Sequence, residues 1–357
     1  MSWNMNRKKW IITAIMLVLV LLAGGIIAWK LLGTDQPIKL KATTKPTSLS
    51  AWVVDWQSQA SMIDYEQIAG ELTSVQSFAA YFDESDRLLI TDKGKELLDN
   101  LMKASNQSED IDVYLTIVND VILADESSVQ KSPELLSRVL ATAECREQHI
   151  ADIMKLVTQY NVDGIEIDYE RVGDADWPSL LLLIEELQQK LTDNGKKLRV
   201  VLEARAPIEE LELPQGPTYV MMAYNLYGTH SQAGPKSDTA FITKLAKRMQ
   251  HVPGEPVIAL SVGGFDWSDS GEVTAVTEKR AEELARLNLD SLKRDAASSS
   301  VHFKYQDDQG ISHTVWYADH ITIKRWIEAV RAAGIHQVAI WRLGDLGELT
   351  LNELRTE

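Results

Sequence analysis

The stretch Asp163-Gly164-Ile165-Glu166-Ile167-Asp168-Tyr169-Glu170 decides the fold of this chain. Its apolar and acidic residues alternate, and successive side chains of a β-strand point to opposite faces. The three apolar side chains therefore share one face, and the other face carries Glu166, Asp168 and Glu170. Crowded carboxylates raise one another's pKa, and a carboxyl group that keeps its proton near neutral pH can act as a general acid. The stretch predicts a strand whose acidic face forms a site.

Two other interpretations of this stretch are an acidic edge strand in solvent and a calcium-binding loop. The glycine and ligand spacing of an EF-hand loop is not found in it. The preceding residues, 146–160, have helical apolar periodicity and lead directly into the strand, as in an αβ unit. Carboxylates on a strand within an α/β pattern are typical of an active site, and we favour that interpretation.

Eight short apolar segments alternate with helical segments along the chain, which favours parallel βα units. The predicted strands are 50–55, 75–81, 112–117, 163–169, 198–203, 218–224, 257–262 and 336–341. The best-marked helices are 132–158, 177–193, 238–250 and 319–333. Eight strands predict an α/β fold of the (β/α)8 TIM-barrel type, with an open doubly wound sheet as the alternative. A small α+β insertion, about 271–318, is expected between strands seven and eight.

The amino-terminal region predicts membrane insertion. Residues 10–29 carry no charge, and as a helix rising about 1.5 Å per residue they would span a bilayer core. Arg7, Lys8 and Lys9 precede them, which places that end in the cytoplasm. We expect a cytoplasmic tail at 1–9, a single transmembrane helix at 10–32, a linker at 33–48 and an extracytoplasmic catalytic barrel at 49–357. A cleaved signal peptide, with secretion, is the alternative.

The composition of the chain limits the classes of molecule that it is expected to bind. The 357 residues carry a net charge of −16, which disfavours nucleic acid and suits neutral glycans better. The single cysteine, Cys145, rules out an intramolecular disulfide. The seven histidines form no paired or Cys/His-clustered motif, so no metal and no cofactor are expected. The sequence does not identify a protein partner.

Three motifs in chain order resemble glycoside hydrolase family 18, the chitinase-like hydrolases. They are Asp163-x-x-Glu166-x-Asp168-x-Glu170, Met222-Ala223-Tyr224-Asn225 and Val338-Ala339-Ile340-Trp341. The family's usual residue is Asp at the positions of Glu166 and Asn225. The segments 315–319 and 341–344 are similar to those of the bacterial spore-germination branch, whose members cut peptidoglycan or its cortex form. The resemblance covers roughly residues 48–346.

The resemblance implies roles for three catalytic residues. Glu170 would protonate the leaving oxygen, Asp168 would orient the 2-acetamido group of the substrate, and Tyr224 would donate a hydrogen bond to that group. Seven further residues are expected to contact substrate: Asp163, Glu166, Arg205, Met222, Asn225, Trp267 and Trp341. Seven side chains keep a structural alternative, in the core, at the rim or in an ion pair: Trp52, Trp56, Trp267, Trp316, Trp341, Arg205 and Asp266.

The expected protein is a membrane-anchored extracytoplasmic glycoside hydrolase. It would cleave β-linked GlcNAc polymers, either peptidoglycan or chitin-like, by substrate-assisted hydrolysis with retention. A catalytically weak, lectin-like glycan-binding protein is the alternative. The presence of Glu170 counts against that alternative, since such proteins usually lose the acid.

Overall fold

The computed structural model describes residues 48–105 and 111–356. The strands are β1 (Ser48–Val54), β2 (Leu72–Asp83), β3 (Leu88–Ile90), β4 (Asp112–Ile122), β5 (Ser128–Val129), β6 (Gly164–Asp168), β7 (Lys197–Leu202), β8 (Thr218–Met222), β9 (Val257–Ser261), β10 (Gly263–Ser268), β11 (Val273–Val276), β12 (Lys293–Arg294), β13 (Val301–Gln306), β14 (Ser312–Ala318) and β15 (Gln337–Trp341). The α-helices are α1 (Ser58–Ile68), α2 (Asp92–Ser105), α3 (Pro133–Val139), α4 (Ala143–Tyr160), α5 (Trp177–Asp193), α6 (Thr239–Met249), α7 (Glu278–Arg286), α8 (His320–Ala332) and α9 (Glu348–Thr356).

Eight parallel strands close into a barrel. Their order around it is β1-β2-β4-β6-β7-β8-β9-β15, and β15 pairs with β1 to complete the ring. The eight predicted strands and the (β/α)8 architecture are thereby confirmed, and the ring closure excludes an open doubly wound sheet. The short strands β3 and β5 pair antiparallel with the carboxyl-terminal parts of β2 and β4.

The alternation predicted for the central stretch is confirmed. Ile165, Ile167 and Tyr169 pack in the large core that joins the barrel to its helices. Glu166 and Asp168 therefore point into the barrel, as period-two alternation requires. The interior of the barrel contains a separate apolar cluster: Trp52, Val201, Val220, Met222, Tyr224, Val257, Ala259 and Ala339.

One predicted helix is divided in the structure. The segment 132–158 forms α3 and α4, with a break at residues 140–142. Each helix has its own amino-terminal cap, because the Ser132 side chain accepts from Leu135 N and the Thr142 side chain accepts from Cys145 N. Apolar periodicity continues across the break, which is why the sequence predicts one helix there.

A five-stranded antiparallel sheet lies between β9 and β15. Its order is β11-β10-β14-β13-β12, with α7 beside it. It begins at Gly263 rather than at about residue 271. Gly263 has φ +61°, and a Cβ on Gly264 would lie 1.8 Å from the Trp316 carbonyl oxygen, so both positions need glycine. These two glycines turn the chain directly from the barrel into the sheet.

Three predicted segments lie outside the described residues: the tail at 1–9, the membrane helix or signal peptide at 10–32, and the linker at 33–48 except for Ser48. Within the described part of the chain, no helix is long and apolar enough to cross a membrane.

Candidate active site

The three predicted catalytic residues meet at the carboxyl ends of the barrel strands. Asp168 ends β6 and Glu170 follows it, while Tyr224 comes two residues after β8. All three line one cavity of about 560 Å³, together with Trp341 at the end of β15. This volume and this end of the barrel are typical of enzyme active sites.

We call this space the aromatic cavity, because Trp56, Phe78, Tyr81 and Trp341 line it. The Phe78 ring makes edge-to-face contacts with Trp341, at 4.9 Å between centroids, and with Trp56, at 5.6 Å. Such rings offer flat apolar surfaces to a sugar. The half-exposed Trp56 and the partly buried Trp341 therefore occupy positions suited to stacking on pyranose rings.

Glu170 is held by its backbone and by an ion pair. Its N–H donates to Asn119 Oδ1 at 2.9 Å, and its carbonyl accepts from Asn119 Nδ2 at 2.9 Å. Its carboxylate accepts from Lys131 Nζ at 2.6 Å, and 14% of the side chain is exposed. Burial raises the pKa of Glu170, and the adjacent Lys131 opposes that rise. The carboxyl group is thus fixed in place and shifted towards holding a proton.

Asp168 is a buried carboxyl group with a free oxygen. Among the described residues, its Oδ1 has no hydrogen-bond partner although it is shielded from solvent. Burial raises its pKa well above the usual range, and the charges of Glu170 and Glu166 raise it further. A buried acceptor without a donor is costly, so this oxygen is placed to receive an N–H or O–H group from a ligand.

Tyr224 completes the group. It is buried, and burial raises its pKa well above the usual range, with the charges of Asp168 and Glu170 acting in the same direction. Its phenol consequently stays protonated at neutral pH. It can donate a hydrogen bond within the cavity that the two carboxyl groups share.

Glu166, expected to contact substrate, lies below the cavity in the barrel interior. Its Oε1 accepts from Trp52 Nε1 at 2.6 Å and from Thr116 Oγ1 at 2.9 Å. Its Oε2 accepts from Arg199 Nε at 2.8 Å, and none of the Glu166 side chain is exposed. The structure therefore places Glu166 in a structural ion pair, outside the lining of the aromatic cavity. The same contact settles Trp52 as a core residue.

The other predicted substrate contacts divide into two groups. Met222 and Asn225 line the aromatic cavity. Asp163 lies at the opposite end of the barrel, where its carboxylate accepts from Val113 N ahead of strand β6. Trp267 is buried in the inserted sheet and donates to the Ser231 carbonyl, so it does not reach the aromatic cavity.

Two further side chains of the inserted sheet have structural partners. The Asp266 carboxylate accepts from Tyr305 Oη at 2.6 Å and pairs with His313 Nδ1 at 2.9 Å. Trp316 stacks on His302 with 4.3 Å between ring centroids. Neither Asp266 nor Trp316 lines the cavities at the barrel mouth.

A second cavity, of about 570 Å³, adjoins the first. The two share the following lining residues: Lys131, Glu170, Met222, Tyr224 and Asn225. The second is also lined by Arg171, Arg205 and Glu203, and we call it the cationic cavity. Arg205 lies here, paired with Glu203 at 3.0 Å, and 70% of its side chain is exposed. Glu170 stands at the boundary between the two cavities.

The sequence reasoning missed Asn119, Lys131 and Arg171. Asn119 sits in the carboxyl-terminal part of β4, so a search for polar residues at every strand end would have found it. Lys131 and Arg171 are in loops, with φ of +55° at each, and no motif marks them. Their importance follows only from the contact of Lys131 with Glu170 and from the cavity that both line.

A closed barrel with two carboxyl groups and aromatic side chains at its carboxyl-terminal mouth defines a barrel enzyme of the sugar-hydrolysing class. Residues 49–345 match the family described as Glycosyl hydrolases family 18, and the chain belongs to that family.

The relatives include proteins of spore-forming bacteria. YdhD of Bacillus subtilis, named as a candidate sporulation-specific glycosylase, is 26% identical over 231 residues, which are 59% of this chain and 54% of that protein. The chain thus spans about half the length of this relative.

Two solved structures share the fold. The Bacillus cereus spore cortex-lytic enzyme SleL superposes with a TM-score of 0.73 at 18% identity, covering 87% of this chain and 74% of that one. A chitinase from Chromobacterium violaceum gives a TM-score of 0.73 at 17% identity, covering 87% and 98%.

Proposed function

We propose that this protein hydrolyses β-linked GlcNAc polymers, with peptidoglycan as the preferred substrate. The observation that carries the proposal is the buried Asp168 Oδ1, which has no partner among the residues that the structure describes and lies in the cavity that also holds Glu170 and Tyr224. A 2-acetamido group supplies both an N–H donor for this oxygen and a carbonyl oxygen for the Tyr224 phenol. A sugar without that group would leave the buried Asp168 oxygen unpaired.

The reaction begins with Glu170 protonated. Glu170 donates its proton to the glycosidic oxygen as the bond to the anomeric carbon breaks, and the leaving sugar departs as an alcohol. The acetamide oxygen attacks the anomeric carbon and forms a cyclic oxazolinium ion. Asp168 accepts a hydrogen bond from the acetamide N–H, and its negative charge offsets the positive charge of the oxazolinium ring. Tyr224 donates a hydrogen bond to the acetamide oxygen.

The second step returns the enzyme to its starting state. Ionised Glu170 takes a proton from water, whose oxygen attacks the anomeric carbon and opens the oxazolinium ring. The configuration at that carbon is retained because it has been inverted twice. Asp168 cannot act as the nucleophile in place of the acetamide, since it is two residues from Glu170 on one strand and reaches the sugar from the same side.

One feature favours peptidoglycan over chitin, namely the sequence similarity to YdhD. The likeness in fold does not distinguish the two substrates, because the spore cortex-lytic enzyme and the chitinase give the same TM-score of 0.73. A lectin-like protein is the second candidate, but such a protein needs no acid with a raised pKa in its site, and partial burial raises the pKa of Glu170.

The test compares matched substrates. Peptidoglycan fragments and chitin oligomers are digested in parallel, and the products are identified by mass. Oligomers whose 2-acetamido groups are replaced by amine or hydroxyl should bind but hardly react, and a thiazoline analogue of the cyclic intermediate should inhibit competitively. A covalent glycosyl adduct on Asp168, or equal rates on glucosides and N-acetylglucosaminides, would disprove the mechanism.

We also propose that residues 10–32 anchor the catalytic barrel to the outer face of the cell membrane. The uncharged run 10–29 and the preceding Arg7, Lys8 and Lys9 support this orientation. Protease added to intact protoplasts should then remove the barrel domain. Release of the domain into the medium without protease would instead indicate a cleaved signal peptide, and full protection would place it in the cytoplasm.

A further inference from the structure

The two cavities that meet at Glu170 differ in charge. The aromatic cavity is lined by two lysines and five carboxyl groups: Asp55, Asp120, Glu126, Asp168 and Glu170. The cationic cavity is lined by three cations, Lys131, Arg171 and Arg205, and by two carboxyl groups, Glu170 and Glu203. When Glu170 holds its proton, Glu203 is the only carboxylate among those lining residues. A local excess of positive charge stands out in a chain whose net charge is −16.

The positions of the cavities assign them to the two sides of the bond that is cleaved. Asp168, Tyr224 and Trp341, the groups suited to the sugar that carries the reacting acetamide, line the aromatic cavity. Asp168 and Trp341 do not line the cationic cavity, whereas the acid Glu170 lines both. A general acid lies beside the oxygen that joins two sugars, so the cationic cavity takes the sugar on the leaving side.

Glu203 organises the arginines of the cationic cavity. Its Oε2 accepts from the backbone N–H of Arg171 at 2.7 Å, and its Oε1 accepts from Arg205 Nη2 at 3.0 Å. One carboxylate thus fixes the left-handed turn at Arg171 and orients the Arg205 guanidinium. Both arginines remain exposed, so each can still bind a ligand anion. Lys131 is held against the acid Glu170 and is the less exposed cation, which makes Arg171 and Arg205 the principal groups for that role.

We propose that the cationic cavity is a subsite for a leaving-side sugar that carries a carboxylate, and that Arg171 and Arg205 bind that carboxylate. This inference rests on the proposed function and specifies its substrate: the leaving sugar is an acidic N-acetylhexosamine of the muramyl type, not a neutral GlcNAc. Guanidinium groups bind carboxylates with charge-assisted hydrogen bonds, whereas a neutral sugar gains little from them. The enzyme would cut the bond from a GlcNAc to an acidic sugar in preference to bonds within chitin.

The test uses one glycan in two charge states. Tetrasaccharides of alternating GlcNAc and N-acetylmuramyl units are prepared with the lactyl carboxylate free or converted to its methylamide. We expect the wild-type enzyme to prefer the free acid by about tenfold in kcat/KM at low ionic strength, the size expected of a solvent-exposed charged contact. In the double variant Arg171→Gln, Arg205→Gln this preference should fall to about unity, because the loss of rate on the free acid exceeds the loss on the methylamide.

Arg325→Gln is the matched control. Arg325 is an exposed arginine on α8 that pairs with Glu328 at 2.9 Å, and it lines neither cavity. It should keep the wild-type preference. Equal wild-type rates on the two glycans, or equal losses on both in the double variant, would overturn the inference and leave the proposed hydrolysis intact.

Two further arms separate the remaining outcomes. Preference for a peptide-bearing glycan alone, with equal rates on the free acid and the methylamide, would assign the cationic cavity to the peptide and overturn the inference. No cleavage of any of these glycans or of chitin oligomers by the wild-type enzyme would disprove the proposed function itself. The residual rate of the double variant on the methylamide shows that it has folded.

Discussion

Glu166 and Asp168 lie two residues apart on one face of β6, and the barrel surrounds them differently. Both oxygens of Glu166 are occupied, by Trp52 and Thr116 on one side and by Arg199 on the other. Asp168 Oδ1 has no partner among the described residues. The difference teaches that a buried carboxylate becomes part of the structure or part of the site according to the donors enclosed with it.

The lower carboxylate is stabilised by aromatic rings as well as by hydrogen bonds. The Arg199 guanidinium lies 5.9 Å from the centroid of the Trp52 ring and 5.6 Å from that of Tyr114. Gly164 makes room for this arrangement, because a Cβ there would come within 2.3 Å of the Tyr114 ring. Both Glu166 oxygens are occupied by their hydrogen-bond donors, and no hydrogen bond joins Glu166 to Asp168 among the described residues.

The largest effect is expected in the aromatic cavity, where Glu170 lies beside Asp168. Glu170→Gln keeps the shape of the side chain but removes the proton donor, so kcat on a peptidoglycan glycan should fall by about 10²–10⁴-fold. Its thermal unfolding should match that of the wild type, since the side chain is partly exposed and its loss leaves no buried charge unpaired. Glu328→Gln, on the surface of α8, is the control and should retain full activity. A Glu170→Gln enzyme with more than a tenth of wild-type activity would contradict the assignment of the acid.

A change at the ion pair between Glu166 and Arg199 should lower the free energy of unfolding. Arg199→Leu leaves the Glu166 carboxylate buried without its cation, and breaking a buried pair in this way costs about 3–5 kcal/mol. Arg325→Leu removes an exposed arginine from its pair with Glu328 and should cost at most about 0.5 kcal/mol. Urea unfolding, followed by circular dichroism, measures both. A loss below about 1 kcal/mol in Arg199→Leu would show that Glu166 does not depend on the ion pair.

The sequence predicts the face of each residue on β6 but not its role. Strand alternation alone directs Glu166 and Asp168 into the barrel. The hydrogen-bond donors that occupy Glu166 include Trp52 and Arg199. These residues lie on other strands, 114 and 33 residues from Glu166 along the chain. No local pattern reports how far such donors reach. For this reason the sequence does not foresee that Glu166 pairs with Arg199 and lines neither cavity.

Motif membership also conceals position along the strand. Asp163 and Glu170 belong to one motif, yet β6 runs only from Gly164 to Asp168, so they lie at opposite ends of the barrel. Asp163 therefore accepts a backbone hydrogen bond below the barrel, while Glu170 reaches the active site. The partner of Glu170, Lys131, lies in a loop 39 residues before it, where sequence periodicity carries no signal.

The smallest expected effect concerns how the rate of hydrolysis depends on pH through Glu170 and Asp168. Burial raises the pKa of both Glu170 and Asp168, and the charge of Lys131 lowers both. Glu170 must hold a proton to act, so the rate falls as pH rises through its pKa. Asp168 must be ionised, so the rate falls as pH drops through its pKa.

In Lys131→Met both pKa values should rise, and both limbs of the kcat/KM profile should move to higher pH. The alkaline limb should move further, because Lys131 contacts Glu170 directly at 2.6 Å. Lys155→Met removes a lysine of an exposed pair outside the site and should leave both limbs in place. An alkaline limb that stays still or moves to lower pH in Lys131→Met would mean that Glu170 is not the group that titrates there.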